Sequence, residues 1–270
     1  MTNGHMQLRI TLLGCGSSGG VPRVGGDWGA CDPNEPRNRR RRCSLLVESG
    51  QGDDAITVLV DASPDLREQL LDAGVRRLDA VVFTHEHADH THGIDDLRPL
   101  VITARSRIDA WMDERTAVAI KHRFAYIFET PAGSYYPPLL TERRLATHGP
   151  TTIHGRNGGE LSLTPYRLPH GDIEALGLRI GGFAYAPDLN AIPRHSEALF
   201  EDADILLIDA LRHRPHPSHF SLEESLAAIA RFKPKRAILT NMHTDLDYPT
   251  LAASLPTNVE PAYDGMRLAL

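Results

Sequence analysis

An almost wholly apolar run, LDAVVFT (78–84), leads straight into H-x-H-x-D-H, formed by His85, His87, Asp89 and His90. Such a run reads as a buried strand, so the histidines sit at a strand end that the fold must leave open. In extended backbone alternate side chains share a side, so His85 and His87 can converge on one cation. A turn into helix at Asp89 would aim that carboxylate and His90 at a neighbouring position. Imidazole with carboxylate suits Zn, Mn or Fe, and two adjacent positions suit a hydrolytic metal pair. The plainer reading is a histidine-rich helix start facing solvent. The tight spacing directly behind a buried strand outweighs it. Glu86 and Ala88 are spacers, and His92, Asp95 and Asp96 carry no ligand role.

The remaining chain reads as strands in both halves with helices between them. Strands are expected at 7–15, 44–49, 55–63, 160–168, 176–186, 203–210 and 235–240. SPDLREQLLDAGV (63–75) combines a serine cap, an early proline and an apolar i, i+3, i+4 stripe, so it is a helix. Helices are also expected at 114–128 and 221–232, with a glycine- and proline-rich loop at 129–138. Strands covered by helices on their outer faces give a layered α/β architecture. No linker composition appears, so 1–270 reads as one domain. No apolar run approaches the ~20 residues of a membrane span, and the start MTNGHMQLRITLL lacks signal-peptide organisation. A cytoplasmic protein is therefore expected. Three cysteines, Cys15, Cys31 and Cys43, make no disulfide framework. A net charge of -6 offers no basic field for nucleic acid.

T-H-E-H-A-D-H at 84–90 resembles the signature of the metallo-β-lactamase superfamily. That resemblance implies a four-layer αβ/βα sandwich and further ligands at strand ends. His170 in RLPHGD matches the third histidine of the first metal site, and Asp188 in YAPDLN the carboxylate bridging two metals. Asp61, closing LVDAS, matches the buried aspartate that orients ligands. One position departs from the pattern. The histidine usually found directly after the last strand's Leu-Thr is Asn241 here, in LTNMH, with His243 two residues on. A small loop shift can let His243 coordinate, Asn241 can act as a weak oxygen ligand, or the second metal can be labile; His243 is the expected ligand.

LLGCGSSGGVPR (12–23) contains G-x-G-x-x-G, but VPRVGGDWG follows instead of the helix that a dinucleotide site requires. The glycine turn with Val-Pro instead resembles the opening of PhnP-type phosphodiesterases and of ribonuclease Z. The PhnP likeness extends through WGACDPNEPRNRRRRCSLLVE (28–48), HGIDDLR (92–98), RPHPSHFSLEES (214–225), KRAILTNMHTDLDY (235–248) and EPAYDGMRL (260–268). It implies hydrolysis of a small cyclic phosphodiester, such as 5-phosphoribosyl 1,2-cyclic phosphate, or of a nucleotide-like substrate, through a metal-bridging hydroxide. Two divalent ions are implied, Zn or Mn, with Fe also compatible. Asp89, His219 and Asp61 are the implied catalytic set, His219 in PSHFS assisting the leaving oxygen. Some members carry a cysteine-rich structural zinc site. Here the loop has only Cys31 and Cys43, and Thr244 replaces a helping histidine, so none is expected. An arginine of RNRRRR (37–42) suits a substrate phosphate, against the plain reading of a solvated loop. Tyr135 and Tyr136 read as loop packing before they read as a stacking wall. No stable nucleic-acid or membrane partner is expected, and homodimerisation is left open. The rival readings are a ribonuclease Z-like RNA hydrolase and a non-catalytic metal- or nucleotide-binding module of the same fold.

Overall fold

The computed structural model describes residues 8–146 and 149–270; Gln7, expected to open the first strand, lies outside them. In one sheet β1 (Leu8–Gly14), β2 (Ser44–Ser49) and β3 (Ile56–Val60) pair antiparallel. β4 (Ala80–Val82), β5 (Ile108–Met112) and β6 (Leu140–Arg144) continue it in parallel. In the other, β7 (Thr151–His154), β8 (Glu160–His170), β9 (Ile173–Ile180) and β10 (Phe183–Ala186) are antiparallel. β11 (Ile205–Asp209), β12 (Arg236–Thr240) and β13 (Val259–Pro261) then run parallel beyond β10. β14 (Arg267–Ala269) returns to flank β1 antiparallel.

The side-chain alternation of the first sheet explains the layering. Ile10, Leu12, Leu45, Val47, Val58, Val60, Ala80 and Val82 share one core with Leu176, Leu178, Tyr185 and Leu207 of the second sheet. The intervening Leu13, Leu46, Leu59, Val81 and Phe83 join a second core on the outer face. There they meet Leu66 and Leu70 of α1 (Leu66–Asp72). After the four-residue α2 (Ala88–Thr91), α3 (Arg98–Ala104) and α4 (Glu114–Arg123) complete that face with Val101, Ala117 and Ile120. Helix α5 (Ala125–Phe128) precedes α6 (Leu222–Phe232), which adds buried Ala228 and Ile229 to the cluster that holds the second sheet, and α7 (Tyr248–Ser254) follows it. The result is the α/β sandwich of two sheets with helices outside. No described helix is long and apolar enough to cross a membrane.

Three expectations need correction. The run 176–186 is not one strand: β9 ends at Ile180, Gly181 turns at φ 54, and Phe183 pairs back onto Ile180. The helix at 114–128 breaks at Phe124, whose φ of -130 and ψ of 42 leave helical space. The expected strands also left out β5, β6, β7, β13 and β14: β6 carries charged, partly exposed residues, β5 has Asp109 within it, and the other three are only three or four residues long.

Four arginines of the 37–42 stretch form a brace. Arg37 pairs with Glu35 at 2.6 Å, Arg41 with Asp264 at 3.0 Å and Asp72 at 2.7 Å, and Arg42 with Asp65 at 2.9 Å. Arg40 is only 1% exposed. Its guanidinium donates to the carbonyls of Leu246 (2.7 Å) and His243 (3.2 Å) and to Asn38 Oδ1 (3.3 Å), beside Cys31 Sγ at 3.9 Å. A buried cation thus ties this loop to the segment after β12. At the tip of the 129–138 loop Tyr135 and Tyr136 are exposed, with the Arg98 guanidinium 5.9 Å from the Tyr136 ring centroid.

Candidate metal centre

Strand ends build the site, as is usual where parallel strands present their carboxyl ends to one crevice. β4 delivers His85 and His87, β8 ends at His170, β10 precedes Asp188, β11 ends at Asp209, and Asn241 follows β12. His85, His87, His170 and Asp188 each place one ligand atom so that all four lie within 4.8 Å of one another. His170 Nε2 is 3.1 Å from His87 Nδ1 and 3.3 Å from Asp188 Oδ2, and His85 Nε2 is 3.6 Å from that same oxygen. On the other side of Asp188, His90 Nε2 lies 3.6 Å from Asp188 Oδ1 and 3.6 Å from Asp89 Oδ2. The six residues expected to gather here therefore do so.

Asp61 holds this arrangement from behind. It adopts a left-handed φ of 64 and accepts the Thr84 amide and hydroxyl, both at 2.8 Å. Its Oδ2 also takes His90 Nδ1 at 2.8 Å, and the Thr84 hydroxyl lies 3.0 Å from His85 Nδ1. Both imidazoles are thereby turned so that Nε2 faces Asp188. His170 is oriented in the same way by Nδ1 donating to the Ser218 carbonyl at 2.6 Å. Glu86 points away from the site as a spacer should, accepting Arg115 Nε at 2.8 Å.

The donor set fits a divalent cation. His85 Nε2 and His90 Nε2 are fully buried and have no hydrogen-bond partner, a costly state for a polar atom that a metal bond would relieve. Burial, then the nearby His90, push His85 well below its ordinary pKa, which keeps its lone pair free. Burial also acts to lower His90, yet Asp188, Asp61 and Asp89 hold it up to about 10. The field that draws a proton to that position would draw a metal ion there. Asp188 is held below the usual carboxylate range: burial opposes this, and His90, His219, His85 and His170 overcome it.

His219 lies on the same wall, its ring 4.6 Å from that of His170. Its Nδ1 is 2.8 Å from Asp209 Oδ2, and burial is outweighed by that hydrogen bond and charge, so its pKa rises to about 9. Asp209 is fully buried, and it too acts from the end of a strand. It was missed in the sequence, although, like Asp61, it is an acidic residue closing an apolar strand, here ILLID.

His243 is the ligand expected at the second position. Its Nδ1 faces Asp245 at 3.5 Å, and its backbone N–H is held by the Leu211 carbonyl at 2.9 Å. The residue that reaches Asp188 is Asn241, with Nδ2 at 3.2 Å from Asp188 Oδ1. Beyond the Thr240 strand end, the Met242 N–H is bonded to the Cys15 carbonyl at 3.0 Å and the His243 N–H to that of Leu211, which hold the backbone on either side of His243's side chain.

The sequence matches the family described as Beta-lactamase superfamily domain over residues 57–242. A diphosphatase of the PhnP family is similar in structure, with a TM-score of 0.86, 35% identity and 98% of each chain covered. Zn(2+)-bound PqqB from Methylobacterium extorquens shares the fold at a TM-score of 0.72 and 18% identity, covering 97% of this chain and 100% of that one. An octanoyltransferase of Porphyromonas gingivalis is 33% identical over 264 residues, or 96% of this chain. This chain spans only 51% of that protein's length.

Proposed function

We propose that this chain, which belongs to the β-lactamase superfamily and is a metal-dependent hydrolase, acts as a phosphodiesterase on a small phosphorylated substrate. The observation that carries the reading is the pairing of a histidine–aspartate centre with a second, separately held imidazole, His219, on the adjoining wall. A divalent cation bound by His85, His87, His170 and Asp188 supplies Lewis-acid polarisation and water activation.

The chain's own residues do the rest. Asp61 fixes the tautomers and directions of the imidazoles it backs, so their donor atoms need no reorganisation. Asp209 keeps His219 Nδ1 protonated and its other nitrogen facing outward, where it can give a proton to a departing alkoxide. Ester oxygens leave poorly as anions, so an acid at that point matters more for a phosphodiester than for a good leaving group. The diphosphatase named above is consistent with phosphoryl chemistry on this scaffold, and the cyclic or nucleotide-like substrate remains part of the proposal.

The test is hydrolysis of bis(p-nitrophenyl) phosphate by protein loaded with Mn or Zn. Wild type is expected to turn it over, and Asp89→Ala, which removes a donor beside His90, to lose roughly 10–100-fold in kcat/KM. Absence of turnover, or an Asp89→Ala variant equal to wild type, refutes the phosphodiesterase reading.

A further inference from the structure

The two cation positions suggested by the superfamily are not equal in this chain. Four donors face the first: His85, His87, His170 and one oxygen of Asp188. Among the described residues the second has only Asp89 and His90 to itself, with Asp188 Oδ1 to share. The remaining place is taken by Asn241, whose Nδ2 donates to Asp188 Oδ1 and to Asp209 Oδ1, each at 3.2 Å.

Nδ2 also lies 3.2 Å from His219 Nδ1. Turning the amide over would set its oxygen against two carboxylate oxygens and exchange both hydrogen bonds for one from that imidazole, so the network favours the nitrogen inward. As oriented, the N–H group has no lone pair for a metal and presents positive partial charge to the oxygen that a second cation would need. His243, held at Asp245 and Leu211, does not substitute for it. Two cations about 3.5–4 Å apart repel strongly, and a pair is retained only where each has ligands enough of its own.

We infer that this chain holds one divalent cation tightly, and that the second position fills only when a phosphate oxygen supplies the ligand that Asn241 withholds. The inference rests on the chain being metal-dependent, not on its being a phosphodiesterase. Binding at the second position is then linked to phosphate, and each raises the affinity for the other by the same factor.

The measurement is manganese per chain by elemental analysis, joined to Mn(II) paramagnetic resonance, on apo-protein reloaded and dialysed without phosphate. Wild type is expected to keep one equivalent. Adding inorganic phosphate with Mn(II) brings in a second equivalent, spin-coupled to the first, with affinity raised at least ~10-fold. Asn241→His should keep two equivalents without phosphate, since histidine is among the residues that tolerate the φ of 60 found there. Asp89→Asn, an independent variant, should abolish the phosphate-dependent equivalent and keep the first. Two equivalents in phosphate-free wild type, one in its presence, one in folded Asn241→His, or a second equivalent surviving in Asp89→Asn each overturn the inference. None of these readouts involves turnover, so a failure to cleave phosphodiesters leaves them intact.

Discussion

Replacing Asp209 by asparagine preserves the side chain's shape and removes the charge 2.8 Å from His219 Nδ1. Burial alone would lower the His219 pKa, and the Asp209 hydrogen bond and charge, followed by Asp188 and Asp89, raise it to about 9. Without Asp209 it should fall back toward the ordinary ~6.5. At pH 8 the protonated fraction then drops from ~0.9 to ~0.03, so kcat/KM falls by up to ~30-fold if His219 is the acid. Near pH 6 both forms are mostly protonated, and the loss shrinks below ~2-fold. The stability sign is the same. A raised histidine pKa contributes stability that is fully present below its unfolded value and lost as pH rises through about 9. Asp209, pushed up to about 7 by burial, opposes folding as pH rises toward that value, so the Tm comparison belongs above pH 7. The assay is kcat/KM for bis(p-nitrophenyl) phosphate across this range, with Tm followed in parallel. The expected result is an alkaline limb displaced toward neutrality in Asp209→Asn. A profile parallel to wild type, lowered uniformly or not at all, refutes the assignment of His219 as the acid and leaves Asp209 a packing residue.

Two further perturbations follow from the same geometry. Asp61→Asn loses the charged acceptor for His90 Nδ1 and one of its two Thr84 contacts, so metal affinity should fall by roughly 10–100-fold, as read by competition with a chromogenic chelator. Unchanged affinity would show that the imidazoles hold their direction without it. Arg40→Leu strips the carbonyls of His243 and Leu246 of a buried donor, at a cost of about 1–3 kcal/mol for each group left unpaired. A Tm equal to wild type in thermal denaturation would argue that the two loops are joined by other contacts.

Much of the centre was legible because its information is local. H-x-H-x-D-H behind a buried strand needs only strand and turn geometry to bring four donors to one end of β4. The resemblance added Asp61, His170 and Asp188 in their order along the chain, each of them an ordinary strand-end polar residue when read alone. Alternating apolar residues in β1 to β4 fixed which faces are buried, hence the layers.

What only the tertiary structure decided are relations between residues far apart in the chain. Whether Asn241 or His243 meets Asp188 depends on the register of β12 against β11 and on the Met242–Cys15 bond, neither of which leaves a trace in LTNMH. RNRRRR reads as a solvated or phosphate-seeking run until Arg40 is seen to find carbonyl oxygens more than 200 residues away. Asp209 becomes a partner of His219 only once the loop after β11 folds back over its end. Side-chain periodicity is set by the backbone within a few residues. A site joining two sheets is set by how those sheets pack, and that packing selects among polar strand ends that are alike in sequence.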